Sequence, residues 1–116
     1  MPTTQQIVDQ HLKAFADRDL DGVLADYSPD AVLFTPGKPL RGRQELEPFF
    51  RAFLDEFTKP GASFSMREQT FDGDYGYILW SAETADNSYE LATDTFVVQN
   101  GKIVAQSFAA KVNPKR

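Results

Sequence analysis

The run Ala92-Thr93-Asp94-Thr95-Phe96-Val97-Val98-Gln99-Asn100-Gly101-Lys102-Ile103-Val104-Ala105-Gln106-Ser107-Phe108 constrains this chain more than any other. Two β-rich segments flank Asn100-Gly101, and an Asn-Gly pair in that setting is a strong local hairpin signal. Ala92, Asp94, Phe96 and Val98 share one face of the first segment; Thr93, Thr95 and Val97 share the other. An acid therefore stands on the more apolar face of a strand. Either that face is not core, or the acid is held in a pocket.

The turn decides which residues join it. With two residues in the turn, Ser107 lies opposite Asp94, and Ile103 and Ala105 share its face. With three, and Gly101 left-handed in a bulge, the register moves by one. Gln106 then lies opposite Asp94, and Val104, Phe108 and Ala110 share its face. The second arrangement is expected. It groups Phe108 with Phe96 and Val98, and it gives a buried Asp94 an amide partner.

Upstream, Phe64 and Met66 alternate with polar residues, Asp72-Gly73 marks a tight turn, and Tyr75 to about Ala85 is rich in β-formers. Asp86-Asn87-Ser88 is the next turn. From about residue 62, four strands joined by short turns make an antiparallel meander. Segments of about ten residues exceed the usual five or six, and long twisted strands in a small protein curl around something.

Helices occupy the first half. Thr3 with Gln6 fits a capping box, and Ile7, Val8, Leu12 and Phe15 recur at helical spacing, predicting a helix over about 4–17. His11 lies on or beside that stripe. Asp19 caps a second, short helix carrying Leu20, Val23, Leu24 and Tyr27 at i, i+3, i+4, i+7, ended by a Ser28-Pro29-Asp30 turn. Ala31 to Thr35 is a short β run, and Lys38-Pro39-Leu40-Arg41-Gly42 reads as an exposed loop. A third helix starts near Arg43, with Leu46, Phe49, Phe50, Phe53 and Phe57 on one stripe, and stops at Lys59-Pro60-Gly61. Helices gathered before a strand run argue for an α+β fold, and a chain of 116 residues for one domain over 1–116.

Composition removes several function classes. There is no cysteine, so no disulfide, thiolate metal site or cysteine nucleophile. One histidine rules out a multi-histidine metal centre within one chain. A net charge of −5 gives nucleic acid or an anionic membrane no attraction. No run approaches the ~20 apolar residues of a membrane span. The N-terminus has no signal-peptide pattern, so a cytoplasmic location is expected. No phosphate loop, dinucleotide glycine pattern or catalytic serine motif is present, and neither metal nor cofactor is expected.

The order of these pieces resembles the SnoaL-like and ketosteroid-isomerase-like proteins of the nuclear transport factor 2 superfamily. The residues that carry the likeness are His11-Leu12-Lys13-Ala14-Phe15, Asp19-Leu20-Asp21-Gly22-Val23-Leu24, Asp30-Ala31-Val32, Arg41-Gly42-Arg43-Gln44-Glu45-Leu46, Asp94-Thr95-Phe96 and Gly101-Lys102-Ile103-Val104. The resemblance covers nearly the whole chain. It implies a cone: a curved antiparallel sheet wrapped over three helices, a cystatin-like roll with an internal apolar pocket, often a homodimer. The isomerases it resembles use a general-base aspartate at the end of the first strand. Their oxyanion hole pairs a helix-1 tyrosine with a protonated late-strand aspartate. Here the late-strand aspartate matches Asp94, the tyrosine position falls on His11, and the base position falls on Thr35. Threonine is no base at neutral pH, so steroid isomerisation is not expected.

Asp94 and His11 are the candidate catalytic pair. The plainer readings are a solvated rim acid and a half-buried structural histidine; the sharper one puts both in the pocket for acid–base work. Thr35, Gln106, Phe96, Phe108, Tyr27, Phe53 and Trp80 are the candidate ligand contacts. For Trp80 a place in the core or a dimer interface outranks a ligand platform. The expected ligand is an apolar, carbonyl-bearing or cyclic small molecule, handled without cofactor by isomerase, cyclase, dehydratase or hydrolase chemistry. The alternative is a non-catalytic dimeric binding or scaffold domain.

Overall fold

The computed structural model describes residues 2–115. The chain opens with α1 (Thr4–Ala16), whose N-terminus carries the full capping box between Thr3 and Gln6. Next come α2 (Leu20–Ala25), capped by the Asp19 carboxylate on the Gly22 N–H, then β1 (Tyr27–Thr35) and β2 (Lys38–Arg41). Helix α3 (Gly42–Thr58) precedes the strand run β3 (Ser63–Asp72), β4 (Tyr75–Glu83), β5 (Asn87–Gln99) and β6 (Lys102–Pro114). The six strands form one open sheet in the order β2-β1-β6-β5-β4-β3. All neighbours are antiparallel except β1 and β6, which run parallel. The fold is α+β, with a curved sheet wrapped over the helices. Register shifts interrupt the β3–β4, β4–β5 and β5–β6 ladders, and such bulges bend and twist a sheet.

Alternation sorts the long strands. Ile78, Trp80 and Ala82 of β4, and Tyr89, Ala92, Asp94, Phe96 and Val98 of β5, are buried on the concave face. Ile7, Val8 and His11 of α1, Val23 of α2, and Leu46, Phe50, Leu54 and Phe57 of α3 close over them. Among the described residues no helix is long and apolar enough to cross a membrane.

Three readings of the sequence are corrected. Tyr27 is not on α2, which ends at Ala25 with Asp26 as its C-cap; it begins β1 and is fully buried there. Ser28-Pro29-Asp30 lies inside β1, where the pairing with β6 skips from Tyr27 to Val32. Pro29 has no N–H to offer the ladder, which accounts for an irregularity in place of a turn. Lys38–Arg41 is an edge strand paired with β1, and its Leu40 is buried. Pro39 is tolerated there because one side of an edge strand needs no donor.

The hairpin also departs from expectation. Asn100 and Gly101 have φ of 54° and 74°, and Gln99 pairs with Lys102, so the turn has two residues. The extra residue is Val104, because Val98 pairs with Ile103 and Val97 with Ala105. Past the bulge the register moves by one in the opposite sense to the expected shift. Asp94 therefore faces Phe108, and Gln106 faces Phe96. Ile103, not Val104, joins the buried face.

Candidate functional site

Between α1, α3 and the concave sheet lies a chamber of about 60 Å³, with aromatic walls that include Phe50, Phe53, Phe57 and Phe96. Three polar side chains reach it: His11, Asp94 and Gln106. A wider space of about 260 Å³ adjoins it, sharing Leu12, Phe15, Phe57 and Phe64 and bordered by Arg18. The Arg18 guanidinium donates to the carbonyls of Phe15, Ala16 and Phe57 and thereby ties α1 to the end of α3.

The polar groups are strung on one buried chain of hydrogen bonds. Asp94 is 7% exposed. Its Oδ2 accepts from Trp80 Nε1 at 2.8 Å, and its Oδ1 accepts from Gln106 Nε2 at 2.9 Å. The other end of that amide, Oε1, takes a short hydrogen bond from the Tyr27 hydroxyl. Tyr27 Oη lies 3.2 Å from His11 Nε2, and His11 Nδ1 lies 3.1 Å from Asp26 Oδ2. Gln10 Nε2 donates to the remaining oxygen of Asp26. Among the described residues no buried side-chain nitrogen or oxygen lacks a partner.

The fold explains why these groups meet. Ile103 N–H donates to the Asp26 carbonyl at 2.8 Å, which pins the end of α2 beside the start of β6. The Arg43 guanidinium holds the Tyr27 carbonyl from α3. Tyr27 thus enters the core edge-on to the His11 ring, with centroids 5.2 Å apart and planes at 86°. Phe50 and Phe96 pack against His11 in the same T-shaped way. Such edge-to-face contacts hold a ring at one angle.

Burial pushes the Asp94 carboxyl above the ordinary carboxylate range. The N–H donors of Trp80 and Gln106, and then the charge of His11, pull the other way without cancelling it. Burial, reinforced by the charges of Asp94 and Asp26, pushes the Tyr27 phenol far above its usual value. Tyr27 is therefore a hydrogen-bonding hydroxyl at any moderate pH.

His11 and Asp94 share the chamber but do not bond to each other; Tyr27 and Gln106 stand between them. Trp80, Phe96, Phe53 and Gln106 line the chamber. Phe108 stands behind it, stacked on Trp80 at 6.2 Å and 17°. Thr35 lies elsewhere. It borders a separate surface hollow, and its hydroxyl donates to the Lys38 carbonyl. Asp26, 2% exposed, escaped the sequence reading. The available signal was its place directly before Tyr27, hidden by a helical spacing that ran on past the end of α2. No cluster of three or more metal-ligating side chains forms among the described residues.

A family model described as SnoaL-like domain matches residues 8–106. No curated protein matches the chain. Among solved structures, an NTF2-like protein of unknown function from Mesorhizobium loti is 25% identical, with a TM-score of 0.79 over 93% of this chain and 90% of that one. A candidate polyketide cyclase from Sinorhizobium meliloti is 19% identical, at TM-score 0.75 over 94% and 95%. A candidate ketosteroid isomerase from Kribbella flavida is 13% identical, at TM-score 0.77 over 97% and 81%. At such identities the last two speak for the fold alone.

Proposed function

The chain belongs to the SnoaL-like domain family, and from that premise we propose that it is a small-molecule pocket protein whose reacting group is Asp94. The ligand is an apolar, carbonyl-bearing or cyclic molecule. Its oxygen sits in the chamber against Asp94, and its body extends past Phe15 and Phe64 into the wider space. The chemistry is cofactor-free proton transfer of the isomerase, cyclase, dehydratase or hydrolase kind.

One observation carries this reading: a buried carboxyl with a raised pKa faces an aromatic chamber while its flanks are fixed by Trp80 and Gln106. A carboxyl poised toward neutrality can donate to a ligand oxygen or take a proton from an adjacent carbon. Both His11 nitrogens are engaged by protein partners, so His11 acts through the network rather than on the ligand. Thr35 is outside the ligand's reach in this reading.

The test is exchange of the acidic carbon-bound protons of 2-cyclohexen-1-one in D2O, followed by NMR. Acceleration by the wild-type protein, lost in Asp94→Asn, supports the reading. Neither binding nor acceleration overturns it.

A second reading, a non-catalytic dimeric binding domain, is favoured by the small chamber, which its own phenylalanines nearly fill. Binding of the enone without exchange would select it. In both readings the protein is cytoplasmic, and a second copy covers the outer sheet face, where Phe34 and Leu91 are 53% and 47% exposed. Sedimentation showing a monomer at all concentrations would remove the dimer.

A further inference from the structure

In the hydrogen-bond chain from Asp26 to Asp94 each link needs one donor and one acceptor. Its donors can be counted. Gln106 turns its Nε2 to Asp94 and its Oε1 to Tyr27. The single Tyr27 proton is therefore spent on Gln106. The Tyr27 oxygen must then accept from His11, so Nε2 carries a proton. A further proton lies between Nδ1 and the Asp26 carboxylate, 3.1 Å apart. In this pattern both oxygens of Asp94 accept from N–H donors, as an ionised carboxylate does.

The same heavy atoms admit one other complete pattern. If the Gln106 amide turns by half a revolution, Oε1 faces Asp94 and Nε2 faces Tyr27. Asp94 must then donate, so it is protonated. The Tyr27 oxygen accepts from Gln106, its proton goes to His11, and Nε2 is bare. The proton between Nδ1 and Asp26 is untouched. The two patterns hold the same number of protons: one sits on His11 Nε2 in the first and on Asp94 Oδ1 in the second. Intermediate arrangements set two donors or two acceptors face to face in a buried site, which is costly.

We infer that His11, Tyr27 and Gln106 are positioning residues that set the protonation state of Asp94, through a two-state hydrogen-bond chain in which Nε2 and Asp94 carry one proton between them. The groups facing His11 are Asp26 and Tyr27 at the α2–β1 junction, Asp94 through Gln106 across β5 and β6, and the uncharged rings of Phe50 and Phe96. In the first pattern Asp94 can take a proton from a ligand carbon; in the second it already carries one and cannot. This meaning rests on the reading of Asp94 as the reacting group. The test reads the free protein, so it can fail while ligand binding succeeds, and the reverse.

The chain has one histidine, so its ring nitrogens give unambiguous NMR signals. In Asp94→Asn, Trp80 still demands an oxygen, so the new amide must present its NH2 to Gln106. That locks the second pattern. At neutral pH the wild type should show a directly bonded proton on Nε2, and Asp94→Asn should lose it. Tyr27→Phe breaks the chain beside His11, and Gln106→Met breaks it beside Asp94. In either background, adding Asp94→Asn should leave Nε2 unchanged; the second background serves if the first fails to fold. An Nε2 state identical in wild type and Asp94→Asn overturns the inference. So does a response that survives both breaks, since that would be the through-space effect of a lost charge.

Discussion

Gln106 reaches Asp94 on the diagonal: its backbone pairs with Phe96, yet its Nε2 lies 2.9 Å from Asp94 Oδ1. The Val104 bulge places it there. It shifts β6 by one residue, so that Gln106 comes onto the buried face with Asp94 and Phe96. Diagonal neighbours on one face are within reach of a long side chain. Replacing Gln106 by Leu keeps the apolar volume but removes a donor from Asp94 and an acceptor from Tyr27. Each buried group left unpaired costs about 1–3 kcal/mol. Urea unfolding should show a lower midpoint with an unchanged slope.

Asp94 makes stability depend on pH. Its carboxyl is raised above the ordinary 3.8 by burial. Between that value and the raised one, the folded chain binds more protons than the unfolded chain, so stability falls as pH rises through the window. Asp94→Asn cannot ionise and should remove this fall. Against wild type it should gain across that window, and the difference should be flat below and above it. A gap that widens toward acid would mean Asp94 is stabilised as an anion. The measurement is a series of denaturant midpoints across pH.

Asp26 and His11 form a pair whose side chains are 1% and 5% exposed. Removing one partner of a buried pair strands the other, at a cost of about 3–5 kcal/mol. Asp26→Ala should therefore lower the melting temperature far more than loss of the exposed Lys13–Asp17 bridge, which solvent screens.

The Asn100-Gly101 turn needs both residues at positive φ. Gly101→Ala adds a side chain in the left-handed region, at about 1–2 kcal/mol. Thermal unfolding should report that loss with the pH profile of Asp94 unaltered.

Much of this architecture is local and was legible in the sequence. The capping box at Thr3 and Gln6, the Asn-Gly turn, and the alternation of Asp94, Phe96 and Val98 each rest on residues a few positions apart. What escaped depends on contacts between distant segments. Ile103, Val104 and Ala105 are all apolar, so nothing in their pattern says which one is the extra residue. Lys38-Pro39 reads as loop unless β1 is already known to lie beside it. The Asp26–His11 pair joins the end of one helix to the middle of another, and helical spacing through Tyr27 concealed where α2 stops. The expected register sets Gln106 directly opposite Asp94, whereas the two side chains meet on the diagonal.

In the proposed site Asp94 meets the ligand in the chamber. Trp80 is the sole tryptophan, and its indole N–H donates directly to Asp94. Its single indole resonance can therefore be followed while 2-cyclohexen-1-one is titrated into the wild type and into Asp94→Asn. A saturable shift is expected in the wild type, with binding weaker by about tenfold in the variant, the loss of one hydrogen bond to the ligand oxygen. No shift in the wild type, or equal affinity in both proteins, would contradict that contact.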